Sequence, residues 1–149
     1  MKIIFCDIDG VLNSEYGSKV GFYDVGGIEE RKIKQLKKII EATGAKVVIS
    51  SRANSFMGKE FDEMRVNSIK SLGVTPLDSI TDIEYQESKA TAIKRWLRKH
   101  PGVENFVVFD DCESDLEMAF GHKFIYVNGK HGLTYRLANK AIEILNKEK

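Results

Sequence analysis

Three short apolar runs, each closing abruptly on acid or hydroxyl side chains, constrain this chain more than any other feature. Lys2-Ile3-Ile4-Phe5-Cys6 stops at Asp7-Ile8-Asp9-Gly10, and Lys46-Val47-Val48-Ile49 stops at Ser50-Ser51-Arg52. Asn105-Phe106-Val107-Val108-Phe109 stops at Asp110-Asp111. Runs of this length, rich in β-branched and aromatic residues, read as buried strands. Helical patterns separate them, and strands alternating with helices predict an α/β fold with a mainly parallel central sheet. Parallel strands set their carboxyl ends side by side, at the edge where such sheets bind ligands. The polar residues that end each run are therefore sent to one place.

Asp7 and Asp9 are costly in so apolar a stretch unless something compensates them. A divalent cation is the natural compensation, and Mg²⁺ takes one or two carboxylates together with waters and phosphate oxygens.

The remaining segments are read from local chemistry. Residues 13–28, with Tyr16, Gly17, Gly21, Phe22, Tyr23, Gly26 and Gly27, read as a loop leaving the Asp pair, either a plain connection or a substrate-side flap. Ile33, Leu36, Ile39 and Ile40 recur at helical spacing over about 28–43, with Gly44 as the stop. Lys32, Lys34, Lys37 and Lys38 on the other face read as a solvated surface in preference to a nucleic-acid patch. Phe56, Phe61, Met64, Ile69 and Leu72 mark a further helix within 54–72, where Lys59 and Arg65 face either substrate or water. Residues 78–87 read as a polar loop. Ser88 is a candidate N-cap for a helix with Ala90, Ile93 and Leu97 on its buried side, and His100 reads as a capping contact at its end. Lys89 stands in the first turn, where helices favour anions. A short helix around 114–120, a strand over 123–127 and a helix from Thr134 complete the chain.

At 149 residues the chain predicts one domain with a full core. Its 42% hydrophobic and 30% charged content is that of a soluble globular protein. No run approaches the roughly 20 apolar residues of a membrane helix. The first strand begins at once, so no signal peptide is expected. Cys6 and Cys112 match no metal spacing and are expected to be free, buried thiols, which suits the cytoplasm. A net charge of +1 argues neither for nor against nucleic acid.

Asp7-Ile8-Asp9-Gly10-Val11-Leu12 resembles the DxDG(V/T)(L/I) signature of the haloacid dehalogenase (HAD) superfamily of phosphohydrolases. The resemblance implies a Rossmannoid three-layer sandwich and a catalytic set of Asp7, Asp9, Ser50 and Lys89. Asp7 would attack phosphorus, and Asp9 would protonate the leaving group and then activate water. Ser50, or Ser51 if the register shifts by one, would bond the transferring phosphoryl group. Lys89 would pair with the nucleophile and the phosphate. Ser50-Ser51-Arg52 resembles the Ser-Gly-Arg of polynucleotide 3′-phosphatases, which makes Ser51 and Arg52 candidate substrate contacts, against a surface salt bridge for Arg52. Asp110-Asp111 with Asp115 satisfies both the DD and the GDxxxD endings of the superfamily, and both point to Asp111 as a metal ligand. Mg²⁺ would then be held by Asp7, the Asp9 carbonyl and Asp111, with Asp110 orienting Lys89 or a bound water and Asp115 farther out.

Gly132-Leu133-Thr134 extends the likeness to small, capless members associated with RNA repair, the Swiss Army Knife type. Only 40 residues separate Asp9 from Ser50 and 38 separate Ser50 from Lys89, so no full cap domain fits. The implied substrate is a phosphorylated small molecule or a nucleic-acid end, with no membrane and no obligate protein partner. Two rivals are a non-catalytic module that keeps the scaffold and a receiver-like domain phosphorylated on Asp. The DxDG arrangement argues against the receiver, and the intact set of Asp7, Asp9, Ser50, Lys89 and Asp111 against the silent module.

Overall fold

The computed structural model describes residues 1–20, 27–51, 58–80, 83, 87–112 and 115–147. Arg52, Phe56 and the stretch Gly21 to Gly26, all singled out above, lie outside these residues.

The sheet is built from β1 (Lys2–Cys6), β2 (Lys46–Ile49), β3 (Asp78–Ser79), β4 (Asn105–Asp110) and β5 (Phe124–Tyr126). Their order is β3-β2-β1-β4-β5. Every pairing is parallel, as the alternating pattern predicted. The first strand is central, with Cys6 level with Ile49 on one side and Phe109 on the other. Asp7, Ser50 and Asp110 therefore emerge one step beyond a shared level.

The helices are α1 (Glu15–Val20), α2 (Glu30–Thr43), α3 (Lys59–Ser71), α4 (Lys89–Lys99), α5 (Leu116–Phe120) and α6 (Tyr135–Leu145). Strand side chains alternate between two helical layers, which is why the runs read as continuously apolar. Ile4, Val47, Ile49, Val107 and Phe109 pack with α2, α6 and Ile69 of α3. Ile3, Phe5, Val48 and Val108 pack with α4. There the Trp96 ring meets Phe5 edge-on at 5.4 Å, and the indole N–H donates to Asp78 at 2.8 Å. The three-layer α/β sandwich expected from the sequence is thus the fold.

Local chemistry sets the ends. Gly44 closes α2 in the left-handed region, with its N–H on the Ile40 carbonyl. Ser88 caps α4 through the Thr91 N–H, and Thr134 caps α6 through the Leu137 N–H. His100 ends α4, its Nδ1 2.7 Å from the Trp96 carbonyl, in the capping role expected of it.

Four expectations need correction. Lys32, read as part of a solvated helix face, is buried, and its Nζ donates to the His131 carbonyl at 2.6 Å. Residues 15–20 of the presumed loop are helical, because Ser14 caps the turn: its Oγ accepts from Gly17 N–H and donates to the buried Glu29 carboxylate. The presumed loop 78–87 opens with β3, drawn to the sheet by pairing with β2. Cys6 is buried as expected, but Cys112 is exposed, because it lies past the end of β4 on the rim.

Candidate active site

At the carboxyl edge of the sheet the strand ends bring acids together as the parallel order requires. Oxygens of Asp7, Asp110 and Asp111 lie within 4.8 Å of one another. Asp7 is 6% exposed and Asp110 1% exposed, so two of the three carboxylates are withdrawn from water. Burial first, then the Asp110 and Asp111 charges, raise Asp7 to about 7, against the opposing pull of Lys89 and the Ile8 N–H. Burial and Asp110 also raise Asp111. Like charges so close are relieved by a proton, as the rise of Asp7 shows, or by a nearby cation.

One cation is the chain's own. Lys89 Nζ lies 2.5 Å from Asp110 Oδ2 and 3.4 Å from Asp7 Oδ1. Burial works against its charge, but Asp7 and Asp110 overcome that and hold Lys89 above its ordinary value. A lysine in the first turn of α4, against the helix dipole, is thereby explained. One lysine cannot balance three carboxylates, and the hard oxygen donor set of Asp7, Asp110 and Asp111 suits a divalent ion such as Mg²⁺.

The turn after β1 is shaped around this cluster. Gly10 has φ +84°, and a Cβ there would stand 2.3 Å from Asp111 Oδ2, so a side chain is barred on both counts. Asn13 pins the turn, accepting from the Gly10 N–H at 2.8 Å and donating to Asp9 Oδ1 at 3.1 Å. A cleft of about 520 Å³ opens beside it, between Asp9, Asn13, Ser18 and Asp111. A larger cavity of about 700 Å³ lies at the amino end of β4, around Pro101, Asn105 and Phe106, away from the acidic cluster.

Ser50 is fully buried, and its hydroxyl has no hydrogen-bond partner among the described residues. A buried hydroxyl left unpaired costs about 1–3 kcal/mol. A phosphoryl oxygen arriving beside Asp7 would satisfy it. Ser50→Ala is expected to leave thermal stability unchanged or slightly raised and to cut kcat/KM for a phosphate monoester about 10- to 100-fold. Melting curves and steady-state kinetics on one preparation check both halves. Ser51 is also buried, at 1% exposure.

Asp9 has a partner that sequence reasoning did not assign. Arg65 of α3, itself 2% exposed, grips its carboxylate with both ends of the guanidinium, at 2.8 and 3.0 Å. Burial alone would raise Asp9, but the Arg65 and Asn13 hydrogen bonds and the Arg65 and Lys89 charges hold it below the usual carboxylate range. The Asp9 carboxylate thus turns to Arg65, while the three clustered carboxylates are those of residues 7, 110 and 111. Asp115 precedes α5 as its N-cap residue without capping it through its side chain.

The family described as "HAD domain in Swiss Army Knife RNA repair proteins" matches residues 3–138, nearly the whole chain. No curated protein and no solved structure matches significantly.

Proposed function

The chain belongs to the family of HAD domains found in Swiss Army Knife RNA repair proteins, and on that premise we propose that it is a Mg²⁺-dependent phosphatase. It hydrolyses phosphate monoesters through an aspartyl phosphate on Asp7, with nucleotide or nucleic-acid ends as its substrates. The observation that carries this reading is the meeting of Asp7, Asp110 and Asp111 beside Lys89.

The residues divide the work. Asp7, Asp111 and the Asp9 carbonyl would hold the ion, with Asp110 beside them fixing Lys89. Bound Mg²⁺ would neutralise the carboxylates and draw the anionic phosphate ester toward them. Asp7 attacks phosphorus in line, and the P–O bond to the leaving group breaks. Lys89 and the Ser50 hydroxyl stabilise charge on the phosphoryl oxygens. Asp9 hands a proton to the leaving oxygen, then takes one from the water that cleaves the acyl phosphate. Inorganic phosphate departs and Asp7 is regenerated.

Described helices are too short and polar to cross a membrane. Two cysteines without a disulfide are at home in the cytoplasm, where we place the protein.

The test is a screen of the purified protein on an aryl phosphate, 5′-nucleotides and 3′-phosphorylated oligonucleotides. Turnover should require Mg²⁺ and cease with a chelator. Mg²⁺ at about 100 times its dissociation constant should also raise Tm by roughly 5–10 °C. No turnover on any of these substrates would reject the catalytic reading.

A further inference from the structure

We propose that Arg65 is a positioning residue, which fixes the Asp9 carboxylate so that its Oδ2 alone is left free to exchange a proton with the leaving group. The inference rests on the phosphatase reading above. Arg65 is 2% exposed and so is not presented to substrate. Its partner is the accessible member of the pair, with the Asp9 side chain 61% exposed toward the cleft.

The hydrogen bonds single out one oxygen. Asp9 Oδ1 accepts from Arg65 Nη2 at 2.8 Å and from Asn13 Nδ2 at 3.1 Å. Asp9 Oδ2 accepts only from Arg65 Nη1, at 3.0 Å, among the described residues. A carboxylate oxygen has about two acceptor positions. Oδ1 is therefore full and Oδ2 keeps one open. A two-point fork also fixes the plane of the carboxylate, which a single contact cannot do.

Stability alone does not explain this pair. Burying a guanidinium is costly, and an apolar side chain of similar volume commonly serves a core as well or better. Arg65 Nε is itself buried without a hydrogen bond among the described residues. The Phe61 ring, one turn earlier on α3, lies 5.1 Å from the guanidinium and braces it from the side.

In the step served, the Arg65 fork leaves Asp9 ionised in the free enzyme, so a monoanionic ester first passes its proton to Asp9 Oδ2; the electron pair of the breaking P–O bond then goes to the leaving oxygen, which takes that proton from Oδ2. Asp9 becomes a carboxylate, and the same atom later receives the proton of the attacking water. A phenolate with an electron-withdrawing ring departs without that proton, whereas an alkoxide does not.

The experiment compares kcat/KM for p-nitrophenyl phosphate and glycerol phosphate in wild type, Arg65→Met, Arg65→Lys, Asp9→Asn and the Asp9→Asn/Arg65→Met double variant. Because kcat/KM reports steps only through departure of the leaving group, later water attack does not blur it. Arg65→Met should lower the value about 100-fold for glycerol phosphate and only about threefold for the aryl ester. Arg65→Lys should recover part of the loss. In the Asp9→Asn background Arg65→Met should cost nothing further.

Equal losses on the two esters, or losses that add in the double variant, would make Arg65 merely structural and overturn the proposal. A wild type active on both esters with an unchanged Arg65→Met overturns it while sparing the phosphatase reading. A wild type inert on every ester removes both. If Arg65→Met fails to fold, Arg65→Lys against Asp9→Asn gives the same comparison of esters.

Discussion

Asp7→Asn is expected to abolish turnover, by at least about 10³-fold, while leaving the fold as stable as wild type or more so. The proposed nucleophile is lost, because an amide oxygen cannot form the acyl phosphate. The structural contacts survive: Asn Oδ1 can still accept from the Ile8 N–H, which the Asp7 carboxylate now takes at 2.9 Å, and still face Lys89. What disappears is a buried carboxylate pushed up to about 7 by burial and by Asp110 and Asp111. In metal-free wild type, such a group makes the folded state hold a proton that the unfolded state has already released. Stability therefore falls as pH rises from the ordinary carboxylate range to about 7. Asp7→Asn lacks that fall, so its advantage in Tm should be largest above about pH 7 in the presence of a chelator. Melting curves at pH 5 and pH 8, beside steady-state kinetics, test both claims. Retained turnover would mean that another group attacks phosphorus.

Lys89→Met carries the second large effect, and here both activity and stability should suffer. Lys89 is 12% exposed and contacts Asp7 and Asp110, which are scarcely exposed. Removing one partner of a buried ion pair costs about 3–5 kcal/mol, because the remaining charge is left uncompensated. Asp7, already raised with Lys89 pulling against that rise, then rises further above its ordinary range. The direction with pH follows: the variant is least stable at high pH, where Asp7 must ionise, and regains stability as pH falls and Asp7 takes up a proton. Turnover should drop more than about 10²-fold, since the positive charge beside the phosphoryl oxygens is gone. Urea unfolding at pH 5 and pH 8 without metal checks the stability half. A cost independent of pH would mean that the lysine contributes through packing of its stem, not through its charge.

The sequence disclosed the features that local pattern encodes. Apolar runs closed by acids or hydroxyls disclosed β1, β2 and β4, and parallel order then carried Asp7, Ser50 and Asp110 to one edge. Caps were legible where a short polar side chain bonds its own turn, as at Ser88 and Thr134. Lys89 stood out because it opposes the helix dipole, a conflict that asks for a partner elsewhere. Arg65 gave no such sign. An arginine on a helix of mixed polarity, 56 residues from Asp9, reads like any solvent-facing charge, and only the tertiary fold pairs them. The helix at 15–20 was hidden for a related reason. Glycines argued against it, and the stabilising contact from Ser14 reaches Glu29 across 15 residues. The two-residue strand β3 is too short for any periodicity to register.

The strand order has a consequence for how the molecule is made. Among the strands of this sheet, β1 is translated before the others yet lies innermost, and one of its flanks waits for residues 105–109 to leave the ribosome. Until then a nascent chain holds β1 with a bare ladder of amides, open to pairing with a neighbour. Asp110 and Asp111 emerge at the same late moment. The reactivity toward phosphorus proposed above is thus withheld until β4 is made, and β1 is the strand whose amides need shielding longest.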